Sequence, residues 1–210
     1  MIIVLIGLPG SGKGTQASLI SAELNFTKIS VGDLLREEAK TNLEIRNLLC
    51  SGALLPGNTV DNMVENFISK NTSNNYVLDG YPRSIEQTNF LTNNHPEDVY
   101  AIHLDIDSNQ LLARIRQRYM CADCNAVYNE STDQRIDKIC DFCFGTSFTT
   151  REDDNEETFG KRIADYQNNT VDVIKYFSNK GMLHVLNAQA SPEEVFAKIK
   201  TFLISRQKES

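Results

Sequence analysis

Five short, mainly apolar runs recur along the chain, at 2–6, 26–29, 76–78, 101–106 and 183–186, with those at 2–6 and 76–78 unbroken by polar residues. A run of that length with no polar face predicts a strand covered on both sides, the pattern of a parallel sheet. Between the runs, apolar residues recur at helical spacing and predict helices over 13–24, 33–40, 59–70, 84–93, 108–118, 156–179 and 191–205. The last of these has a defined start, with Ser191 as N-cap, Pro192 in the first helical position and Glu194 completing a capping box. Gly181 is placed to stop the one before it. Strands alternating with helices predict an α/β fold of three layers around a five-stranded parallel sheet.

The alternation fails between 120 and 150, where a polar stretch carries four cysteines and little periodicity. This segment is an insertion. Cys121-Ala-Asp-Cys124 and Cys140-Asp-Phe-Cys143 form two C-x2-C knuckles with fifteen residues between them, a spacing that favours zinc over two disulfides or four idle thiols. Four thiolates complete a tetrahedral site and leave no position for water, so the metal is expected to be structural. The segment has few large apolar side chains, whereas zinc contributes on the order of 10 kcal/mol to the folding of such units.

Composition narrows the partners. The 210 residues carry a net charge of −7, with 40% hydrophobic and 23% charged residues. That size fits one core with small insertions. The acidity argues against nucleic acid or an anionic membrane as the main partner and suits a small substrate. No apolar run approaches membrane-spanning length, and the first leads straight into a glycine loop, so it is expected to be a core strand and the protein cytoplasmic.

That loop, GLPGSGKGT at 7–15, carries the chemistry. Glycines behind a strand let backbone N–H groups turn inward on an anion, the helix that follows directs its positive end at the same point, and Lys13 adds a full charge. Together these predict a P-loop for nucleotide phosphates. Gly14 follows the lysine and displaces the hydroxyl to Thr15, which does not support direct magnesium ligation by that hydroxyl. Asp79, at the end of the 76–78 run, is placed to hold hydrated magnesium. Arg114 and Arg118 are four apart and predicted on one helical face, where Arg83, Arg151 and Arg162 can join them around a polyphosphate. His95, His103 and His184 are scattered singly, and no Ser/His/Asp or Cys/His constellation occurs. A phosphate acceptor needs no general base, only alignment and charge neutralisation. An NTP-driven switch, a zinc-ribbon nucleic-acid binder and a plain hydrolase remain open on these features alone.

Four strings then resemble one family over essentially the whole chain: GLPGSGKGT at 7–15, SVGDLLR at 30–36, DGYPR at 79–83 and TTREDD at 149–154. They are similar to those of adenylate kinases of the zinc-containing, long-lid kind. The resemblance implies magnesium-dependent transfer of a phosphoryl group from ATP to AMP, giving two ADP, by a monomer. It implies a core of 1–29, 56–116 and 155–210, a small helical NMP-binding insertion at 30–55 and a zinc-bound lid at 117–154. ATP would lie on Gly10, Ser11, Gly12, Lys13, Gly14 and Thr15, with Asp79, Arg114, Arg118, Val127, Tyr128 and Ala190 around it. AMP would meet Val31, Arg36, Ala53, Leu54, Leu55, Gly80, Tyr81, Pro82, Arg83 and Gln87, the last against the adenine, with Arg151 and Arg162 on its phosphate side. Lys13, Arg83, Arg118, Arg151 and Arg162 would stabilise the transferring group, and Cys121, Cys124, Cys140 and Cys143 would hold zinc. Val31 replaces the threonine usual in the family and keeps a pyrimidine (UMP/CMP) or other nucleoside monophosphate kinase as the alternative. Ala126, where a basic residue is common, is a second departure.

Overall fold

Ile2, Val4 and Ile6 project to one side of the first strand, Ile3 and Leu5 to the other, and all five are buried. Burial on both faces makes this run, β1 (Ile2–Ile6), the centre of a sheet. The computed structural model describes residues 1–51, 57–96, 99–107, 111–131, 138–151 and 154–207. In it β1 is flanked by β3 (Tyr76–Asp79) and β4 (Val99–Asp105), with β2 (Thr27–Ser30) and β8 (Leu183–Asn187) at the edges. The order is β2-β3-β1-β4-β8 and every pairing is parallel, as the apolar runs predict.

Two helical layers complete the sandwich. On one face α1 (Lys13–Leu24), α6 (Leu111–Arg116), α7 (Glu156–Asp165) and α9 (Pro192–Gln207) bring Ile20, Ile115, Phe159 and Ile199 onto Ile3, Leu5 and Leu104. On the other, α2 (Val31–Glu38), α3 (Leu43–Ser51), α4 (Gly57–Lys70), α5 (Ile85–Asn94) and α8 (Val171–Asn179) bring Leu35, Ile45, Val60, Leu91 and Phe177 onto Val4, Ile6 and Leu78. The capping box at α9 forms in both directions, Glu194 N–H to Ser191 Oγ at 3.3 Å and Ser191 N–H to Glu194 Oε2 at 3.2 Å. Gly181, at φ 68°, ends the chain's run beyond α8.

Four expectations need correction. α2 starts at Val31 and not 33, because Ser30 Oγ accepts the Asp33 N–H and caps it. α3 is not predicted by the apolar spacing, although the resemblance implies a helical insertion there. The predicted helix over 156–179 is two helices separated by a π turn at Tyr166–Thr170. The helix expected over 108–118 is described only as α6, and Arg118 opens a strand, so Arg114 and Arg118 do not share a helical face.

That strand, β5 (Arg118–Cys121), pairs antiparallel with β6 (Val127–Asn129) and β7 (Phe148–Thr149). The cysteine insertion therefore carries a small sheet, order β6-β5-β7, and not an irregular loop. Among its described residues Cys121, Ala126 and Cys140 form a small buried cluster, with Tyr128 and Phe148 against them. Tyr119 stacks on Tyr128 with ring centroids 5.6 Å apart. Among the described residues, no helix is long and apolar enough to cross a membrane.

Candidate active site

The register of the sheet assembles the site. Leu5 stands opposite Asp79, so the loop leaving β1 and the carboxylate ending β3 emerge together at the carboxyl edge. Gly12 caps α1 at φ 96°, a left-handed conformation that other residues rarely adopt, and it offers the helix no side-chain cap. Inside the loop, Ser11 Oγ is buried without a hydrogen-bond partner. An orphan hydroxyl beside an uncapped helix N-terminus is satisfied by an anion. A Cβ on Gly14 would stand 3.3 Å from Asp79 Oδ2, which places the carboxylate over the first turn of α1.

Lys13 Nζ donates to the carbonyls of Gly7 at 2.7 Å and Leu8 at 2.9 Å. Burial pushes its pKa down to about 8; Asp79 opposes this, and Arg83, Arg118 and Arg162 add to it. The charges that depress Lys13 are the other cations predicted for the site.

A cavity of about 930 Å³ opens onto the loop. Gly10 to Thr15 and Asp79 form its floor, Val31, Arg36, Gly80, Tyr81, Pro82, Arg83 and Gln87 one wall, and Arg114, Arg118, Val127, Tyr128, Arg151, Arg162 and Ala190 the rest. The loss of a shared helical face for Arg114 and Arg118 does not separate them, because both line this space. Ala53, Leu54 and Leu55 lie outside the described residues.

Several of the cations have defined partners. Arg83 donates from Nε to Gly80 O at 2.9 Å and from its backbone N–H to Gln87 Oε1 at 2.8 Å. Burial and the neighbouring Arg162 lower its pKa, against Asp165 and Asp79. Arg118 forks onto Asp154, with Nε to Oδ2 at 2.7 Å and Nη2 on Oδ1. Arg151 Nε lies 2.7 Å from Met120 Sδ, and burial, then Arg118 and Arg36, push this guanidinium down to about 10 against Asp33 and Asp154. Burial disfavours the Asp33 carboxylate, yet the charge and hydrogen bond of Arg36, with Lys28 and Arg151, hold it below its usual range. Tyr81 contributes differently: its ring is 1% exposed and its hydroxyl donates to Asp61 Oδ1 at 2.6 Å, away from the cavity's cations.

Asp33 and Asp154 sit inside the sequence motifs, but their role as counter-charges for the arginines was not read from them. Tyr166 and Thr170 on the π turn, which also line the cavity, had no sequence signal.

The four cysteine sulfurs of the small sheet lie within 4.8 Å of one another, Cys121 to Cys143 at 3.5 Å and Cys124 to Cys140 at 3.4 Å. Four Zn–S bonds of about 2.3 Å in a tetrahedron put sulfurs about 3.8 Å apart, so the cluster is compatible with zinc. Tyr128 donates its hydroxyl to Cys140 Sγ at 3.2 Å and accepts from Asp141 N–H at 3.0 Å, tying the second knuckle to β6.

Comparison with known proteins agrees with this geometry. A family model described as Adenylate kinase matches residues 5–182. The chain is 36% identical over 209 residues to a protein named Adenylate kinase from Rickettsia africae, covering 97% of this chain and 99% of that protein. Proteins of the same name from Rickettsia typhi and Rickettsia bellii are 36% and 34% identical, each across 93% of this chain and 95% of the relative.

Proposed function

The chain belongs to the adenylate kinase family, and from that premise we propose how its residues divide the work of ATP:AMP phosphotransfer. The enzyme moves the terminal phosphoryl group of ATP to AMP, reversibly, giving two ADP. The donor polyphosphate lies on Gly10 to Thr15, with Lys13 at its outer phosphates and Arg114, Arg118, Val127, Tyr128 and Ala190 toward the nucleoside. The acceptor occupies the side of Val31, Arg36, residues 53–55 and 80–83, and Gln87. Arg83, Arg118, Arg151 and Arg162 neutralise charge on the transferring group. Asp79 holds hydrated magnesium, which when bound supplies charge neutralisation on the donor's phosphate oxygens.

The observation that carries this reading is the cation set around one cavity whose floor is the glycine loop at the uncapped N-terminus of α1. No general base is needed, since the acceptor oxygen of AMP is already anionic; alignment and electrostatics supply the catalysis. Water is the competing acceptor. Residues 117–154 act as the lid that excludes it, over a core of 1–29, 56–116 and 155–210 and an NMP-binding insertion of 30–55. Adenylate kinase lids are a standing example of such closure. Zinc on Cys121, Cys124, Cys140 and Cys143 keeps the lid folded, and the enzyme works as a cytoplasmic monomer without nucleic acid or membrane.

An acceptor panel tests the assignment. With ATP and magnesium, AMP is expected to be phosphorylated faster than CMP or UMP, and the reverse order would replace the adenylate reading by the pyrimidine alternative.

A further inference from the structure

His103 has no part in the phosphotransfer as derived above, yet it sits beneath it. The face of β4 that sends Val99 and Ala101 into the core beside Val173 and Phe177 continues toward the carboxyl edge as His103 and Asp105. Across the sheet His103 pairs with Ile6, the last residue before the phosphate loop.

Its side chain meets the π turn. His103 Nε2 lies 2.9 Å from the Tyr166 hydroxyl, at the first residue of that turn. The last residue of the turn, Thr170, is buried and donates from Oγ1 to the Arg83 carbonyl at 3.3 Å. Tyr166 and Thr170 both line the cavity. A π turn adds a residue to the helical register and is frequent at functional sites. Here one end is fastened to His103 and the other to Arg83.

We propose that His103 is a positioning residue for phosphotransfer: its neutral imidazole accepts the Tyr166 hydroxyl and so holds the π turn that seats Arg83, and protonation reverses that hydrogen bond and sets a cation against the turn. The inference rests on the role given to Arg83 above.

The charges around the pair favour the neutral state. Burial pushes the Tyr166 hydroxyl up to about 12, with Asp105 adding to the shift, so it stays a donor. Among the described residues the imidazole feels Asp105 from β4 and Lys13 from α1 and touches Tyr166 on the π turn. Burial lowers the pKa of His103; Asp105 opposes the shift and Lys13 reinforces it. Protonation turns both ring nitrogens into donors, forces the Tyr166 hydroxyl round to accept, and sets a second cation near Lys13.

The test is kcat and KM against pH, from about pH 5 to 8, for the wild type, His103→Gln and His103→Leu. The wild type is expected to lose kcat along a single-proton acid limb whose midpoint lies below the usual histidine value of about 6.5. His103→Gln keeps an acceptor that does not titrate, and should hold kcat within about threefold of wild type at pH 7.5 with the limb gone. His103→Leu orphans the hydroxyl and should lose about tenfold in kcat at every pH, with KM moved less. Superimposable profiles for wild type and His103→Gln would overturn the proposal, even if the leucine variant fails to fold. An Arg83→Lys variant with undiminished kcat would instead sink the site reading beneath it.

Discussion

Arg151 Nη2 lies 3.8 Å from Asp33 Oδ1, joining the exit of the small cysteine-bearing sheet to the first turn of α2. Both side chains are mostly covered, at 14% and 20% exposure. Arg36 shares the same carboxylate, so one aspartate answers to arginines from two walls of the cavity. The pair links two segments that both line the cavity.

Replacing Asp33 with Asn should therefore loosen the lid before any nucleotide binds. A partly exposed pair is worth up to about 1 kcal/mol, a shift of about fivefold in the balance of open and closed forms. Faster amide exchange in β5 and β7 of the free variant, and unchanged exchange with nucleotides bound, is the expected result. The Asp33 carboxyl is held below its usual value. Its contribution is thus present above the unfolded value of about 3.9 and lost only as pH falls through the lower folded one.

Lys13 makes donor binding pH-dependent in the opposite direction. In the free protein its pKa is near 8, and a bound polyphosphate favours the charged form and raises it. Affinity for ATP is then fully present below about pH 8 and falls as pH rises through the bound value, with proton uptake on binding. Calorimetry in buffers of different ionisation enthalpy measures that uptake. Lys13→Met should abolish it and lower kcat by about 10²- to 10³-fold.

Two glycines separate site from scaffold. At Gly14 an added methyl stands 3.3 Å from Asp79 Oδ2, whereas at exposed Gly160 in α7 it meets nothing within 4 Å. Gly14→Ala should cost about tenfold in kcat by shifting the carboxylate. Gly160→Ala should leave kcat unchanged and stabilise the helix by about 0.5–1 kcal/mol, raising Tm by about 1–4 °C.

Much of this was legible in the chain because local pattern and tertiary position agree. β1 is apolar at five consecutive positions and is buried at all five, and the Ser191–Glu194 capping box is a local device that needs no distant partner. α3 hid because its first residue, Leu43, is 73% exposed and only Ile45 of its apolar side chains is fully covered. Arg118 was assigned to a helix because the apolar spacing runs up to it, while pairing with Asn129 makes it the start of a strand. The π turn has a polar sequence, Tyr-Gln-Asn-Asn-Thr, indistinguishable from an exposed helical face. The Asp33–Arg151 and Arg118–Asp154 pairs exist only once separate segments meet, and no spacing rule reaches that far.

The cysteine cluster should prove structural. Among the described residues of this insertion only Met120, Cys121, Ala126 and Cys140 are buried, so removing a metal worth on the order of 10 kcal/mol leaves it without support. Chelation, or Cys140→Ser, should lower Tm and abolish amide protection in β5 to β7 while the five-stranded sheet keeps its own. Metal-free, reduced protein with unchanged protection in those strands would show that the thiols carry no folding role.

The central claim is that a shielded, cation-lined cavity passes a phosphoryl group between nucleotides and denies it to water. The direct measurement follows the γ-phosphoryl label of ATP in the presence of AMP and magnesium. The account predicts label in the ADP formed from AMP, with inorganic phosphate appearing slower by at least about a thousandfold. Label accumulating as inorganic phosphate at a comparable rate would contradict it.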